Sequence, residues 1–216
     1  MDKDLSSSIR THSLILAAFA LAAALFLGLV NQQTQPRIIE QHLEAQRQAL
    51  YEVLPPTRHD NDLVNDTFVL GESNPGLRNL QLLGLEEASV GYIARLDKQV
   101  SGIILPAIIH DGYSGDIRLL AGINPDGSLS AVRVLAHQET PGLGDKIELR
   151  VSDWILDFQG RSLDNPPAPQ WRVKKDGGDF DQFVGATITP RAVVNGVSKV
   201  LQFYEDNRTL LLEGAP

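Results

Sequence analysis

The chain has 216 residues, a formal net charge of −8 and no cysteine. That length allows one domain with a sizeable core. The acidic balance offers no basic stripe for a phosphate backbone, which excludes nucleic acid as a partner, and the lack of cysteine excludes a lipoprotein anchor.

Near the start, Leu14 to Val30 is an uncharged run of 17 residues, with Gly28 its only interruption among Leu, Ala, Ile, Phe and Val. At about 1.5 Å per residue it nearly spans a hydrocarbon core of roughly 30 Å, so one transmembrane helix is expected over residues 13–31. A signal peptide is the competing reading; against it, no small-x-small cleavage site follows Val30, and the triplet Ala18-Phe-Ala20 lies inside the apolar run. Lys3 and Arg10 precede the span and no basic residue follows it before Arg37. The positive-inside bias therefore leaves residues 1–12 in the cytoplasm and the main domain outside, in the periplasm of a bacterium with this span in its inner membrane. A chain without cysteine avoids unwanted disulfides there.

Residues 32–56 read as a stalk helix, with Ile39, Leu43, Leu50 and Leu54 on one stripe, Glu40, Glu44 and Arg47 on a solvated face, and Pro55-Pro56 as its stop. The remaining residues, 57–216, form the expected outer domain. Thr57 to Gly76 is rich in Asp, Asn, Gly and Pro and reads as irregular, with one short strand at Thr67–Leu70. Four further strands are predicted at Val90–Leu96, Gly102–Ile109, Ile117–Ile123 and Ser130–Ala136, with turns marked by Lys98 and by Asp126-Gly127. Pro106 predicts a bulge or an edge in the second of these. The fold class is α+β: a twisted antiparallel sheet with flanking helices, preceded by the transmembrane and stalk helices.

After the strands comes His137-Gln-Glu139-Thr140-Pro141-Gly142-Leu143-Gly144-Asp145-Lys146, a sharply bent loop with exposed backbone N–H groups and, on its own, equally an ordinary surface turn. Ile147–Phe158 predicts a short helix and Trp171–Lys175 a late strand. Next is Asp181-Gln-Phe-Val-Gly185-Ala186-Thr187-Ile-Thr189, followed by Pro190 and an amphipathic helix to about Asp206 with Val193, Val197, Val200, Leu201 and Tyr204 inward. Thr189 predicts the N-cap and Pro190 the first helical position. Thr187 then lies just ahead of a helix N-terminus, where N–H groups and the dipole favour an anion, although a Gly-Ala-Thr turn serves many strand-to-helix connections without any ligand. The histidines, His110 and His137 among them, show no metal spacing, and no Ser-His-Asp arrangement is present.

The segment Asp181-x-x-x-Gly185-Ala186-Thr187-x-Thr189 resembles the flavinylation motif of the FMN-binding domain family, whose usual Ser or Thr before Gly-Ala is replaced here by Val184. Glu139-Thr-Pro-Gly-Leu-Gly144 is similar to a segment that two families share, the RnfG proteins of Rnf electron transport complexes and the corresponding flavoproteins of sodium-translocating NADH:quinone reductases. The resemblance implies FMN joined to Thr187 by a phosphoester that a flavinyltransferase makes, with Gly185, Ala186 and Thr189 at the phosphate end. It implies Glu139, Thr140, Pro141, Gly142, Leu143 and Gly144 along the isoalloxazine side, with N–H groups of the 142–144 stretch reaching the ring and Tyr113 of Gly112-Tyr-Ser-Gly115 nearby. By the same resemblance the chain relays electrons among other subunits of a membrane complex of the Rnf type, without an independent catalytic site. The related flavoprotein of the quinone reductase, a sensory binding module and a non-redox envelope assembly protein are the alternatives.

Overall fold

The computed structural model describes residues 2–71 and 73–213, except the side chains of residues 2–11, 13–15, 18, 30, 33, 36–40, 42 and 43. Two compact units divide the chain, Met1–Gln46 and Arg47–Pro216. The first helix, α1, runs Asp2–Val53 without a break, so the two helices expected separately before the domain are one element that continues across Pro36. The side chains of several residues of the expected span, of Ile39 and Leu43 of the expected stripe, and of Glu40 of the solvated face lie outside the described residues. Among the described residues no helix is long and apolar enough to cross a membrane.

In the second unit five strands form one antiparallel sheet in chain order: β1 (Thr67–Leu70), β2 (Ser89–Leu96), β3 (Gln99–Ile109), β4 (Ile117–Ile123) and β5 (Leu129–Ala136). Each strand pairs with its neighbour in sequence; tight turns close the β2–β3 and β4–β5 hairpins, while β1 reaches β2 through the long connection 71–88. Asp97 and Lys98 take φ of 49° and 66° between the paired residues Leu96 and Gln99, a two-residue turn with both central residues left-handed. At the β4–β5 hairpin Asp126 accepts from the Ser128 N–H at 2.9 Å and the Ser128 hydroxyl at 2.7 Å, closing the turn through Gly127. Pro106 faces Leu120 of β4, while the β2–β3 pairing ends at Ile104, so the proline occupies an unpaired edge rather than a bulge.

Alternation along β3 distributes the core between two faces. Ile103, Leu105, Ala107 and Ile109 join Leu119, Ala121 and Ile123 against the C-terminal helix, α2 (Ile188–Leu212), whose Val193, Val197, Val200, Leu201 and Tyr204 are all buried as the spacing predicts. On the opposite face Ile104, Tyr92 and Leu120 pack under Leu50, Val53 and Leu54 at the end of α1. A Cβ on Gly122 would stand 2.5 Å from Val53 Cγ1, so this close approach needs glycine. The Ser130 hydroxyl donates to the Val53 carbonyl at 2.7 Å and satisfies one of the helix's last acceptors.

Three sequence expectations change. α2 extends to Leu212 rather than about 206 because Asn207, buried, donates to the carbonyls of Phe203 and Arg78 at 2.8 and 2.9 Å while its Oδ1 accepts from Arg78 N–H at 2.7 Å. Ile147–Phe158 is not one helix but two 3-10 segments, Asp145–Ile147 and Asp153–Phe158, separated by an extended Ser152 whose Oγ accepts from the Trp154 N–H. Trp171–Lys175 forms no strand. It follows the 3-10 turn Ala168–Gln170 and runs into the turn Lys174–Asp176, with one bridge from Val173 to Phe180, in a stretch flanked by Pro166, Pro167, Pro169, Gly177 and Gly178 that cannot sustain a ladder.

Candidate functional site

The start of α2 and the loop leaving β5 meet at a cleft of ≈ 230 Å³. Its lining comprises Tyr113, Glu139, Thr140, Leu143 and Gly144 on one side and the run Gly185 to Thr189 on the other. Of the residues singled out in the sequence, Thr187, Gly185, Ala186, Thr189, Glu139, Thr140, Leu143 and Gly144 are thereby brought together. Pro141 and Gly142 belong to the same loop but not to the lining, and both are exposed.

An aromatic cluster holds the first half of the 181–189 segment. Phe180 stacks on Phe158 with ring centroids 4.8 Å apart, and Phe183 meets the edge of Trp154 at 5.1 Å. Trp154 Nε1 donates to the Asp181 carbonyl at 2.8 Å, which ties the ring's one polar atom to the segment it supports. From there the chain turns sharply: Ala186 N–H donates to the Phe183 carbonyl at 3.2 Å, and Gly185 takes φ of 85°, a left-handed value that favours glycine. Val184, at the tip, is 92 % exposed.

Thr187, not Thr189, is the residue at the helix boundary, and it makes no side-chain capping bond. Its φ and ψ of −88° and −27° are already helical, and its carbonyl accepts the first ladder bond, from Arg191 N–H at 3.2 Å. Pro190 falls in the third helical position; the first four N–H groups of a helix have no partner within it, so its missing donor costs nothing there. The N–H groups of Ile188 and Thr189 are likewise left over by the ladder. Thr189 cannot cap because its hydroxyl is used elsewhere: it is 1 % exposed and donates to Glu139 Oε2 at 2.5 Å.

Glu139 is the centre of the other wall. It is 5 % exposed, and its Oε1 accepts from Ser114 N–H at 3.0 Å, which brings the β3–β4 loop carrying Tyr113 to the cleft. Its own N–H donates to His137 Nδ1 at 3.0 Å, while His137 Nε2 faces Glu148 Oε1 at 2.5 Å. Because Nδ1 accepts, the proton sits on Nε2 and the ring is a neutral strut that orients the loop. Arg150 holds the Glu148 carboxyl below its ordinary value, with His137 adding to the effect. Leu143 and Gly144 N–H both donate to the Thr140 carbonyl, at 3.1 and 3.0 Å. Two of the three N–H groups expected to reach a ligand ring are therefore consumed by the loop's own turn. At Gly144 a Cβ would lie 2.7 Å from Glu139 Oε2 and 2.9 Å from Thr189 Oγ1, so only glycine lets these two approach. Tyr113, 68 % exposed, stands at the mouth.

Three features of the cleft have no signal in the sequence: Ser114 N–H, Ile188 and the bond between Glu139 and Thr189, residues 50 positions apart. Of the histidines, His137 is structural as its position at a strand end suggests. His110, with Glu86 and Asp116, forms an exposed group whose ligand atoms lie within 4.8 Å of one another, but both ring nitrogens are engaged, with Gly84 O and Asp116 Oδ1.

Residues 112–202, which contain both walls of this cleft, match the family model of the FMN-binding domain, and residues 1–53 match that of the RnfG N-terminal region. The chain is 47 % identical over 215 residues to the G subunit of the ion-translocating oxidoreductase complex of Pseudomonas aeruginosa, a match covering 98 % of this chain and 96 % of that one. The chain belongs to the RnfG family. The G subunits of the same complex in Vibrio atlanticus and Shewanella oneidensis are 43 % identical over 207 residues (95 % of each chain) and 44 % identical over 197 residues (91 % of this chain and 90 % of that one). These relatives are named for the ion-translocating oxidoreductase complex, not for a quinone reductase. In this RnfG-family chain the match to the FMN-binding domain begins at the Gly112-Tyr113 loop and ends inside α2, so the domain boundary encloses the cleft.

Proposed function

We propose that this chain is the flavin-bearing, membrane-anchored RnfG component of an Rnf-type ion-translocating oxidoreductase complex, with FMN joined to Thr187 through a phosphoester. The observation that carries the reading is the Thr187 hydroxyl, which makes no hydrogen bond among the described residues and lines the cleft at the start of a 25-residue helix. The leftover N–H groups of Ile188 and Thr189 and the helix dipole suit the negative charge of a phosphate group at that point. Gly185, with no side chain, leaves the approach to the hydroxyl open. When bound, FMN supplies the electron-carrying chemistry.

Attachment replaces the Thr187 O–H bond with an oxygen–phosphorus bond, as an activated flavin phosphate loses its leaving group and the hydroxyl proton departs. A flavinyltransferase is the partner for that step, and other subunits of the complex are the partners in electron transfer. The cleft is smaller than the ~300–1,000 Å³ of pockets that enclose most of a ligand of this size. The residues accordingly hold one end of FMN and leave the remainder against the apolar rim of Tyr113, Leu143 and Ile188, open to a redox partner.

Residues 13–31 cross the inner membrane once, with residues 1–12 cytoplasmic and the FMN-binding domain periplasmic. In support, Leu16, Phe19, Leu21, Leu25, Phe26, Leu27 and Leu29 are each 65–72 % exposed along α1, an apolar surface that water does not favour and lipid does. Lys3 and Arg10, ahead of the run, set the orientation.

The test is in-gel ultraviolet fluorescence of the denatured full-length protein co-expressed with a flavinyltransferase, with Thr187→Ala alongside. A fluorescent wild-type band and a dark variant are expected. A fluorescent Thr187→Ala band would refute the acceptor, and a dark wild-type band beside a flavinylated control protein would refute covalent attachment.

A further inference from the structure

Glu139 is a buried carboxylate that the attachment chemistry does not use. The cleft lining contains no Lys or Arg, and no ion pair among the described residues involves Glu139. The ring beside it, His137, accepts the Glu139 N–H through Nδ1 and is therefore neutral, so it does not compensate the charge. Ser114 N–H can only donate, and the 2.5 Å separation from the Thr189 hydroxyl lies in the range of a hydroxyl donating to a carboxylate. Nor can the group swing away: a Cβ on Gly112 would meet Oε1 at 2.9 Å and one on Gly144 would meet Oε2 at 2.7 Å, so backbone closes around both oxygens.

Holding those loops together does not require an acid. A glutamine would accept from Ser114 N–H with its oxygen and donate to Thr189 Oγ1 with its amide, keeping both contacts. What the carboxylate adds is a negative charge, shielded from solvent and hence weakly screened by salt.

Resting on the flavin reading above, we propose that the Glu139 carboxylate sets the reduction potential of the flavin in this cleft, making electron uptake harder than the same pocket without the charge would. A fixed anion close to a group that gains negative charge raises the energy of the reduced form. Glu139 is thus an electrostatic tuning residue, and its neutral isostere isolates that role from its contacts.

The experiment uses full-length protein in detergent, loaded with FMN by the flavinyltransferase, as wild type and Glu139→Gln. Band fluorescence is read first and the midpoint potential at pH 7 second, by spectroelectrochemical titration. In the flavin-loaded fraction a more positive potential is expected for Glu139→Gln: the ratio of reduced to oxidised flavin at a fixed potential rises about tenfold, ~30 mV for a two-electron couple. An unchanged or more negative potential with normal loading would overturn the tuning role alone. A dark wild-type band would overturn the flavin reading and this inference with it. If Glu139→Gln does not fold, Thr189→Val, which keeps the Glu139 carboxylate and removes the hydroxyl that donates to it, is expected to make the potential more negative; an unchanged or more positive potential there would overturn the proposal.

Discussion

Replacing Thr189 by Val tests the wall-to-wall bond on which the cleft depends. The two side chains have nearly the same shape and similar helix propensities, so the change removes one hydroxyl from a residue that is 1 % exposed and little else. It leaves Glu139 Oε2 without its donor, in a residue only 5 % exposed. Hydrogen bonds to charged groups contribute roughly 1.5–3 kcal/mol net, and a buried acceptor left unpaired costs about 1–3 kcal/mol. A loss of about 2 kcal/mol is therefore expected, which lowers Tm by roughly 4–8 °C for a domain of this size. Thermal unfolding of the full-length protein in detergent, followed by near-ultraviolet circular dichroism, reads the shift. Thr189→Ser, which keeps the hydroxyl and loses only a methyl, should recover most of it. The reasoning fails if Thr189→Val is as stable as wild type, or if Thr189→Ser loses as much as Thr189→Val. Flavin attachment is expected to survive in Thr189→Val, because the acceptor hydroxyl belongs to Thr187.

Three further outcomes are expected. Gly185→Ala places a Cβ at φ of 85°, a left-handed conformation that costs about 1–2 kcal/mol for a residue with a side chain, and should reduce the flavinylated fraction seen by in-gel fluorescence more than it reduces the yield of folded protein. Phe183→Ala removes a ring that is 7 % exposed from the edge of Trp154 and should cost about 3–5 kcal/mol in denaturant unfolding, with loss of covalent flavin as the acceptor turn loosens. His110 is held above its ordinary value of 6.5, first by its hydrogen bond to Asp116 and then by the Gly84 carbonyl. The fold therefore favours its charged form: that contribution is complete below about pH 6.5 and disappears as pH rises through the raised value. Since both side chains are nearly half exposed, the effect is small. A histidine proton titration by NMR should show the raised midpoint, and Asp116→Asn should return it toward the ordinary value.

Much of this architecture is readable from the residues because its determinants are local. β1 and β4 carry the predicted boundaries, and β2, β3 and β5 start slightly earlier than expected, since alternation and turn residues are properties of short windows. The order of β2 to β5 follows from short connections that favour neighbour pairing, whereas no tight turn dictates the pairing of β1 with β2 across residues 71–88. Proximity of the two cleft walls is suggested by the paired motifs, but the bond that joins them is not: nothing near Thr189 announces that its hydroxyl will leave the cap position for a carboxylate 50 residues earlier. The same holds for Trp171–Lys175, where apolar residues that read as a strand are consumed by packing against Phe158 and Phe180 instead of by a ladder. N–H groups of the 142–144 stretch look available in a Gly-rich loop, yet Thr140 O takes two of them, a matter of backbone geometry that composition does not encode.

The position of α2 after every strand of the sheet imposes an order on biosynthesis. Its bonds to Arg78 join residues 129 positions apart, whereas the sheet is built entirely from adjacent strands. Contacts so distant form after local ones, and the helix emerges only after all five strands have been translated. Until it docks there is no second wall beside Glu139 and no helix terminus behind Thr187. A chain stalled or clipped ahead of Ile188 would have no cleft, so the 25-residue helix must be made and docked before any cofactor is committed to the protein.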